Sequence, residues 1–391
     1  MSDVRQVEAA RRFEPTEHYP AWRDGCPLHH EADHDPPFYV LSRFDDVVDV
    51  LKHPDVWRNR DGPGVFFQER GVLGTTDEPD HGRHRRVLRA AFVPTSIARL
   101  EPRVREITDE LIDDFVDDGQ CDFVSSLAEP LPALAIAELL GVDADLRDDF
   151  RRWSNEAVAA LSGADVDTYV EAKRKLEDCI EAGVDDRAAG TGDPDDVLGM
   201  LAAARRQGVI SPAETRHLGY QLLVAGHETT TSLLGTMLFR LLERPQIMAA
   251  LRADPGLIPD AVEEALRFDS PVHGLFRTNA TECTMHGQSI PIGSKLQLSF
   301  AAANRDPQQF EAPDEFRLGR ERREISHHVA FGWGIHFCIG APLARLETRV
   351  AFEQILRRLH EIELAGEPRR NDSFVLHGLT SLPIRFTSVS T

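Results

Sequence analysis

The residues with most chemical promise lie in FGWGIHFCIG, positions 331–340, where three glycines surround a single cysteine, Cys338. The following APLARLETRVAFEQILRRL has the spacing of a helix. A thiolate just before a helix N-terminus is stabilised by free backbone N–H groups and by the helix dipole. Glycines without Cβ atoms let the backbone approach a large, flat partner closely. A cysteine thiolate is one of the axial ligands of haem iron and the one that favours O–O cleavage. The plain alternative is a buried core cysteine in a glycine-rich loop. A second group is Ala225-Gly226-His227-Glu228-Thr229-Thr230, which places a carboxyl beside a hydroxyl inside a long apolar stretch. Glu264 and Arg267 stand three residues apart, and His81 and Arg85 four apart. Each pair shares one helix face, where such charges are ordinarily solvated and contribute only ~0–1 kcal/mol. Arg277 sits in GLFRTNA, a strand-like run in which a buried guanidinium needs a reason.

These groups require particular elements. Residues 211–245 predict one long helix, opening with a capping box (Ser211, Glu214) and proline at the first helical position, and closing before Pro245. Its middle, LLVAGHETTTSLLG, is apolar on nearly all sides, so burial through the centre of the molecule is expected. Gly and β-branched Thr lower helix propensity there, and such local rule-breaking is expected at functional sites. FYVLSRFDDVVDVLKHPDVW (38–57) reads as a short strand and a helix. The chain is strongly helical from about 79 to 205 and again at 258–268 and 340–360. Short strands and loops fill 272–330. The fold class expected is mainly α with a small β part, as one domain over 1–391 with residues 1–35 as an irregular arm.

The chain has 391 residues, with 44 Lys and Arg against 65 Asp and Glu, for a net charge of −21. Such acidity argues against nucleic acid or anionic membrane as partners. No apolar run reaches the ~18–20 residues of a membrane span, and the first twenty residues lack the apolar core of a secretory signal. The five scattered cysteines, with no CxxC, suit a reducing cytoplasm.

FGWGIHFCIG resembles the haem-binding pattern of the cytochrome P450 family, Phe-x-x-Gly-x-x-x-Cys-x-Gly, through Phe331, Gly334, Cys338 and Gly340. The bacterial form with histidine two before the cysteine is matched by His336. AGHETT (225–230), EALR (Glu264, Arg267), HGRHR (His81, Arg85) and ANRDPQQF with PDEF resemble the family's other marks, in the family's order. The likeness runs from about residue 35 to the C-terminus.

The resemblance implies the cytochrome P450 fold and a haem-thiolate monooxygenase with haem b and O2. Electrons from NAD(P)H would arrive through a ferredoxin and its reductase, and the protein would be a cytoplasmic monomer without a membrane span. Cys338 would be the iron ligand. His81, Arg85, Arg277 and His336 would bind the haem propionates, and Ala225, Gly226, Phe331, Gly332 and Gly340 would also lie at the haem. Glu228 would relay protons and Thr229 would hydrogen-bond bound dioxygen. Glu264 and Arg267 would be structural, joined by Arg320 or, second, Arg317. A hydrophobic substrate of terpenoid, steroid, fatty-acid or polyketide type would meet Val65, Phe66, Phe67, Val224, Ala225, His273, Gly274, Leu275, Val375 and Leu376. His273 is the polar exception, and a partly solvated loop histidine is the plainer reading of it. RHRRVLR (83–89) offers Arg83, Arg86 and Arg89 as docking residues for an acidic ferredoxin, with a solvated basic stripe paired with neighbouring acids as the alternative. A peroxide-using relative or a non-catalytic haem sensor or carrier is the alternative, and the Glu228–Thr229 pair argues against both.

Overall fold

A computed structural model describes residues 19–66, 71–161, 166–371 and 375–388. The chain divides into two compact units, each discontinuous in sequence: Met1–Glu78, Pro259–Cys338 and Arg370–Gly378 in the first, and Pro79–Ile258, Ile339–Arg369 and Leu379–Thr391 in the second.

The first unit is built on a five-stranded sheet ordered Leu28–Glu31, Phe38–Leu41, Lys295–Ser299, Gly274–Asn279 and Trp57–Arg58. Phe38–Leu41 runs parallel to Lys295–Ser299, and the other pairings are antiparallel. The helix Phe44–Lys52 buries Phe44, Val47, Val48, Val50 and Leu51 in a core with Leu28, Leu41, Leu296, Leu298 and Phe310. Its apolar residues recur at three- and four-residue spacings, so one face meets that core.

The irregular arm is corrected here. Tyr19–Gly25 is a helix and Leu28–Glu31 a strand, while residues 1–18 lie outside the described residues. Tyr19 and Trp22 pack on Ala301 and Ala302, and Leu28 pairs with Leu41. Such distant partners are invisible to a local pattern rich in Pro and His.

The second unit is helical. Its long helix, Pro212–Leu242, spans 31 residues and has the expected capping box, with Ser211 accepting from the Glu214 N–H. It stops before Arg244, and Pro245 opens the next helix rather than only ending this one. Pro130–Leu140, Val166–Ala188 and Ala341–Arg358 pack against it. A three-stranded sheet, ordered Gln120–Asp122, Pro383–Ser388 and Leu359–Leu364, completes the unit. Among the described residues no helix is long and apolar enough to cross a membrane.

Candidate active site

In the second unit the central helix changes character at one turn. Its flanks are buried, yet Ala225 is exposed and Val224, Gly226, Glu228 and Thr229 are only half-buried. A Cβ placed on Gly226 would come no nearer than 3.6 Å to its nearest neighbour, Ile136. Small residues therefore leave this face of the helix open. The Thr229 hydroxyl donates to the Ala225 carbonyl at 2.8 Å, the back-bonding usual for threonine in a helix. The Glu228 carboxyl makes no hydrogen bond or ion pair among the described residues, and burial pushes its pKa up to about 7. At neutral pH it is poised between its two protonation states.

The helix Asp80–Leu88 carries His81, buried, and Arg85, half-buried. Arg83, a docking candidate from the sequence, is instead paired with neighbouring acids. Its guanidinium binds Glu214 at 2.6 Å and Asp80 at 2.9 Å and donates to the Val209 carbonyl at 2.8 Å. His84 joins the same Glu214 at 3.0 Å. Hydrogen bonds from Arg83, foremost, hold the Glu214 carboxyl far below the usual carboxylate range. Arg86 and Arg89 are exposed.

In the first unit, Glu264 is the centre of a closed ionic cluster. Arg267 grips both its oxygens at 2.8 Å, and Arg320 reaches them at 3.1 and 2.9 Å. All three side chains are at most 2% exposed. Arg267 also donates to the carbonyls of Asn304, Pro313 and Glu315, and Arg320 to those of Glu311, Ala312 and Glu315. Arg317 offers Glu264 only its backbone N–H, at 2.9 Å, while its side chain turns to Glu311. Arg320 is thus the side-chain partner. Together the two arginines staple the irregular segment 304–320 to the helix Ile258–Phe268.

That segment leads into the Cys338 loop. Gly332 is buried with φ +69°, and Gly334 has φ +70° with its Cα against the Leu51 carbonyl. The Cys338 N–H donates to the Phe331 carbonyl at 2.9 Å, closing the loop three residues before the helix Ala341–Arg358. Phe331, His336, Cys338 and Gly340 are half-buried, and none of the five cysteines forms a disulfide. Arg277 lies in the strand Gly274–Asn279, wholly buried. Its guanidinium donates to the Phe276 carbonyl and has no carboxylate at ion-pair distance among the described residues. Burial lowers its pKa to about 10.

The expected substrate-facing residues divide. Val65 packs half-buried against Phe38, Val40 and Phe276, Phe66 is 63% exposed, and Phe67 lies outside the described residues. Gly274 is buried, and a Cβ there would meet the Leu298 carbonyl at 2.5 Å. Leu275 packs on the sheet core. Val375 and Leu376 are half-buried and tied to His273 and Val272 by backbone pairing. His273 is neither solvated nor loosely held. It is 4% exposed, and its ring lies 4.0 Å from that of His377.

Sequence reading missed this cluster because its two halves, Asp269 with His273 and Arg370 with His377, are about a hundred residues apart. His377 lies 3.0 Å from Asp269, and Arg370 lies 3.2 Å from Asp269 and 3.1 Å from His377. Ligand-type atoms of Asp269, His273 and His377 fall within 4.8 Å of one another, but the Arg370 guanidinium already supplies positive charge there.

Comparison with known proteins places the chain. A family profile for cytochrome P450 matches residues 256–386. Cytochrome P450 107B1 of Saccharopolyspora erythraea is 39% identical over 366 residues, 89% of each chain. The 6-deoxyerythronolide B hydroxylase of the same organism is 37% identical over 318 residues, 80% of this chain and 77% of that protein. The solved structure of cytochrome P450 CYP109Q5 from Chondromyces apiculatus superposes with a TM-score of 0.88 at 33% identity, covering 98% of this chain and 97% of that one. The chain belongs to the cytochrome P450 family and is a P450 monooxygenase.

Haem b is the family's cofactor, with O2 as co-substrate and electrons derived from NAD(P)H through partner proteins. The residues present suit it. Arg277 is a buried cation without a carboxylate partner among the described residues, which a haem carboxylate would answer. Ala225 and Gly226 give the central helix an open face free of bulky side chains. The Cys338 loop is held by two glycines in the left-handed region, a conformation that favours glycine.

Proposed function

We propose that the chain forms one catalytic domain, cytoplasmic and monomeric, in which Cys338 is the thiolate ligand of the haem iron. Arg277, His336, His81 and Arg85 hold the haem carboxylates. The bound haem supplies dioxygen activation, and the protein supplies protons and exclusion of water. Glu228 passes protons from solvent, and Thr229 orders them at the oxygen-binding face of the central helix. The observation that carries this reading is Glu228: a carboxyl with no cation partner among the described residues, its pKa raised by burial to about 7, one residue before a helix hydroxyl. A peroxide-using enzyme or a haem carrier has no need of such a group.

The substrate in this proposal is hydrophobic, of terpenoid, steroid, fatty-acid or polyketide type. Likeness to 6-deoxyerythronolide B hydroxylase ranks the polyketide class first. A spectral titration against a panel of these four classes tests the ranking, because a fitting compound shifts the haem towards high spin without turnover. No shift with any macrocyclic polyketide would remove that class from first place.

Thr229→Ala is expected to retain haem and substrate binding while diverting electrons to hydrogen peroxide, lowering product per NADH about tenfold, or ~1.4 kcal/mol in partition. Coupling in the wild type should fall as pH rises through about 7, where Glu228 loses its proton. Glu228→Gln should be poorly coupled and flat with pH. Unchanged coupling in Thr229→Ala, or the same pH slope in Glu228→Gln, would remove the pair from proton delivery.

Electrons come, in this reading, from a ferredoxin and its NAD(P)H-dependent reductase. The exposed Arg86 and Arg89 remain as docking residues; Arg83 is excluded by its bonds to Glu214 and Asp80. Charge reversal at Arg86 or Arg89 is expected to slow ferredoxin-supported reduction several-fold. The difference should shrink as salt rises, since exposed charges are screened within ~8–10 Å. If reversal at both positions leaves the rate and its salt dependence unaltered, docking is elsewhere.

A further inference from the structure

His227 stands between Gly226 and Glu228 and belongs to no role assigned above. Its ring is 1% exposed. Nε2 lies 3.0 Å from the backbone carbonyl of Glu129, and Nδ1 lies 2.7 Å from the Ser154 hydroxyl. A carbonyl only accepts, so the proton is on Nε2, and Nδ1 accepts from Ser154. Burial lowers the pKa of His227 to about 4, so the ring stays neutral in this one tautomer near pH 7 and does not itself carry protons.

The two partners lie on different neighbours. Glu129 immediately precedes the helix Pro130–Leu140, and Ser154 lies in the helix Arg147–Leu161. One side chain therefore ties the central helix to both. The tie falls where the helix is weakest, beside Gly226 and two residues before a run of three threonines. The adjoining Glu228 is half-buried and is partnered by nothing among the described residues, so only the packing around it limits how far water reaches its carboxyl. The packed elements also carry Glu138, Arg147, Asp148, Asp149, Arg152 and Glu156; next to the tie itself, burial raises the pKa of the Glu129 carboxyl and Arg151 opposes that rise.

We propose that His227 is the positioning residue of proton delivery: its two ring hydrogen bonds fix the rotation of the central helix against Glu129 and Ser154 and so limit the access of water to Glu228. The proposal rests on the reading of Glu228 as the proton-carrying carboxyl. Loss of the tie leaves a buried carbonyl and a buried hydroxyl unpaired, and water entering to satisfy them also reaches Glu228.

The test is an infrared pH titration of the haem-loaded enzyme, following the carboxylic C=O stretch. Glu228→Gln identifies the band. In the wild type that band should titrate near pH 7. In His227→Leu the midpoint should fall by at least one unit, towards the ~4.3 of a solvated glutamate. His227→Gln can still donate to the Glu129 carbonyl and should recover at least half of the shift. Ser154→Ala should show a smaller fall, and with His227→Gln it carries the test if His227→Leu does not fold. A merely structural role would lower the melting temperature of these variants and leave the midpoint in place, which overturns the proposal. A wild type with no Glu228 band near neutrality overturns it as well. Failure of the underlying reading is separate: Glu228→Gln would then keep its coupling even though the midpoint moves with His227.

Discussion

Glu264→Gln is expected to yield a protein that neither holds haem nor unfolds cooperatively at ordinary temperature. The side chain it replaces is the common anion for Arg267 and Arg320, all three at most 2% exposed. Glutamine keeps the shape but removes the charge, leaving two guanidinium groups buried around a neutral amide. Among the described residues only Glu324, at 2.8 Å from Arg320, still pairs with them. Breaking a buried ion pair by removing one partner costs about 3–5 kcal/mol. Against a total stability of about 5–15 kcal/mol, that is a fifth or more of what holds the chain folded. The arginines also donate to five carbonyls of the 304–315 segment, so the segment leading to the Cys338 loop loosens with them. Chemical denaturation and haem content measure both consequences. A variant with wild-type haem content and midpoint would show the cluster to be dispensable.

Gly334→Ala is expected to be nearly as damaging, and Gly332→Ala much less so. Both glycines have φ near +70°, and a side chain in that region costs roughly 1–2 kcal/mol. Their surroundings differ. A Cβ on Gly334 would lie 2.5 Å from the Leu51 carbonyl oxygen, backbone in the last turn of the helix Phe44–Lys52. A Cβ on Gly332 would find nothing nearer than 3.9 Å. Helix backbone cannot give way as a side-chain tip does, so Gly334→Ala must displace the Cys338 loop. The rate of haem release to an excess of apomyoglobin measures this. It should rise at least tenfold in Gly334→Ala and a few-fold in Gly332→Ala; equal rates would mean that the clash is relieved without moving the loop.

The sequence shows these two features to different degrees. The Glu264–Arg267 pair was visible as a helical i, i+3 spacing, and Arg320 as one of two candidates. The resemblance ranks Arg320 ahead of Arg317, and the structure agrees, since the Arg320 guanidinium is the one that reaches Glu264. The capping box at Ser211 and Glu214 and the extent of the central helix followed from local chemistry. Glu214's second task, holding Arg83 and His84 from another helix, did not, because contacts across 130 residues leave no local trace. The same limit hid the Asp269–His377–Arg370 cluster and made His273 look like a loop residue. His227 was read as part of a motif and given no partners of its own. A histidine in a nearly apolar helix was the available signal, since a buried imidazole requires hydrogen-bond partners.

The central claim is that Cys338 is the thiolate that makes this protein a haem-thiolate monooxygenase. The most direct measurement is the absorption spectrum of the reduced, carbon monoxide-bound protein, in the wild type and in Cys338→His. The wild type should show the strongly red-shifted Soret band that thiolate ligation gives, and Cys338→His should retain some haem with that band replaced by the shorter-wavelength band of imidazole ligation. A full-strength red-shifted band in Cys338→His, or its absence from a wild type that holds haem, would contradict the account.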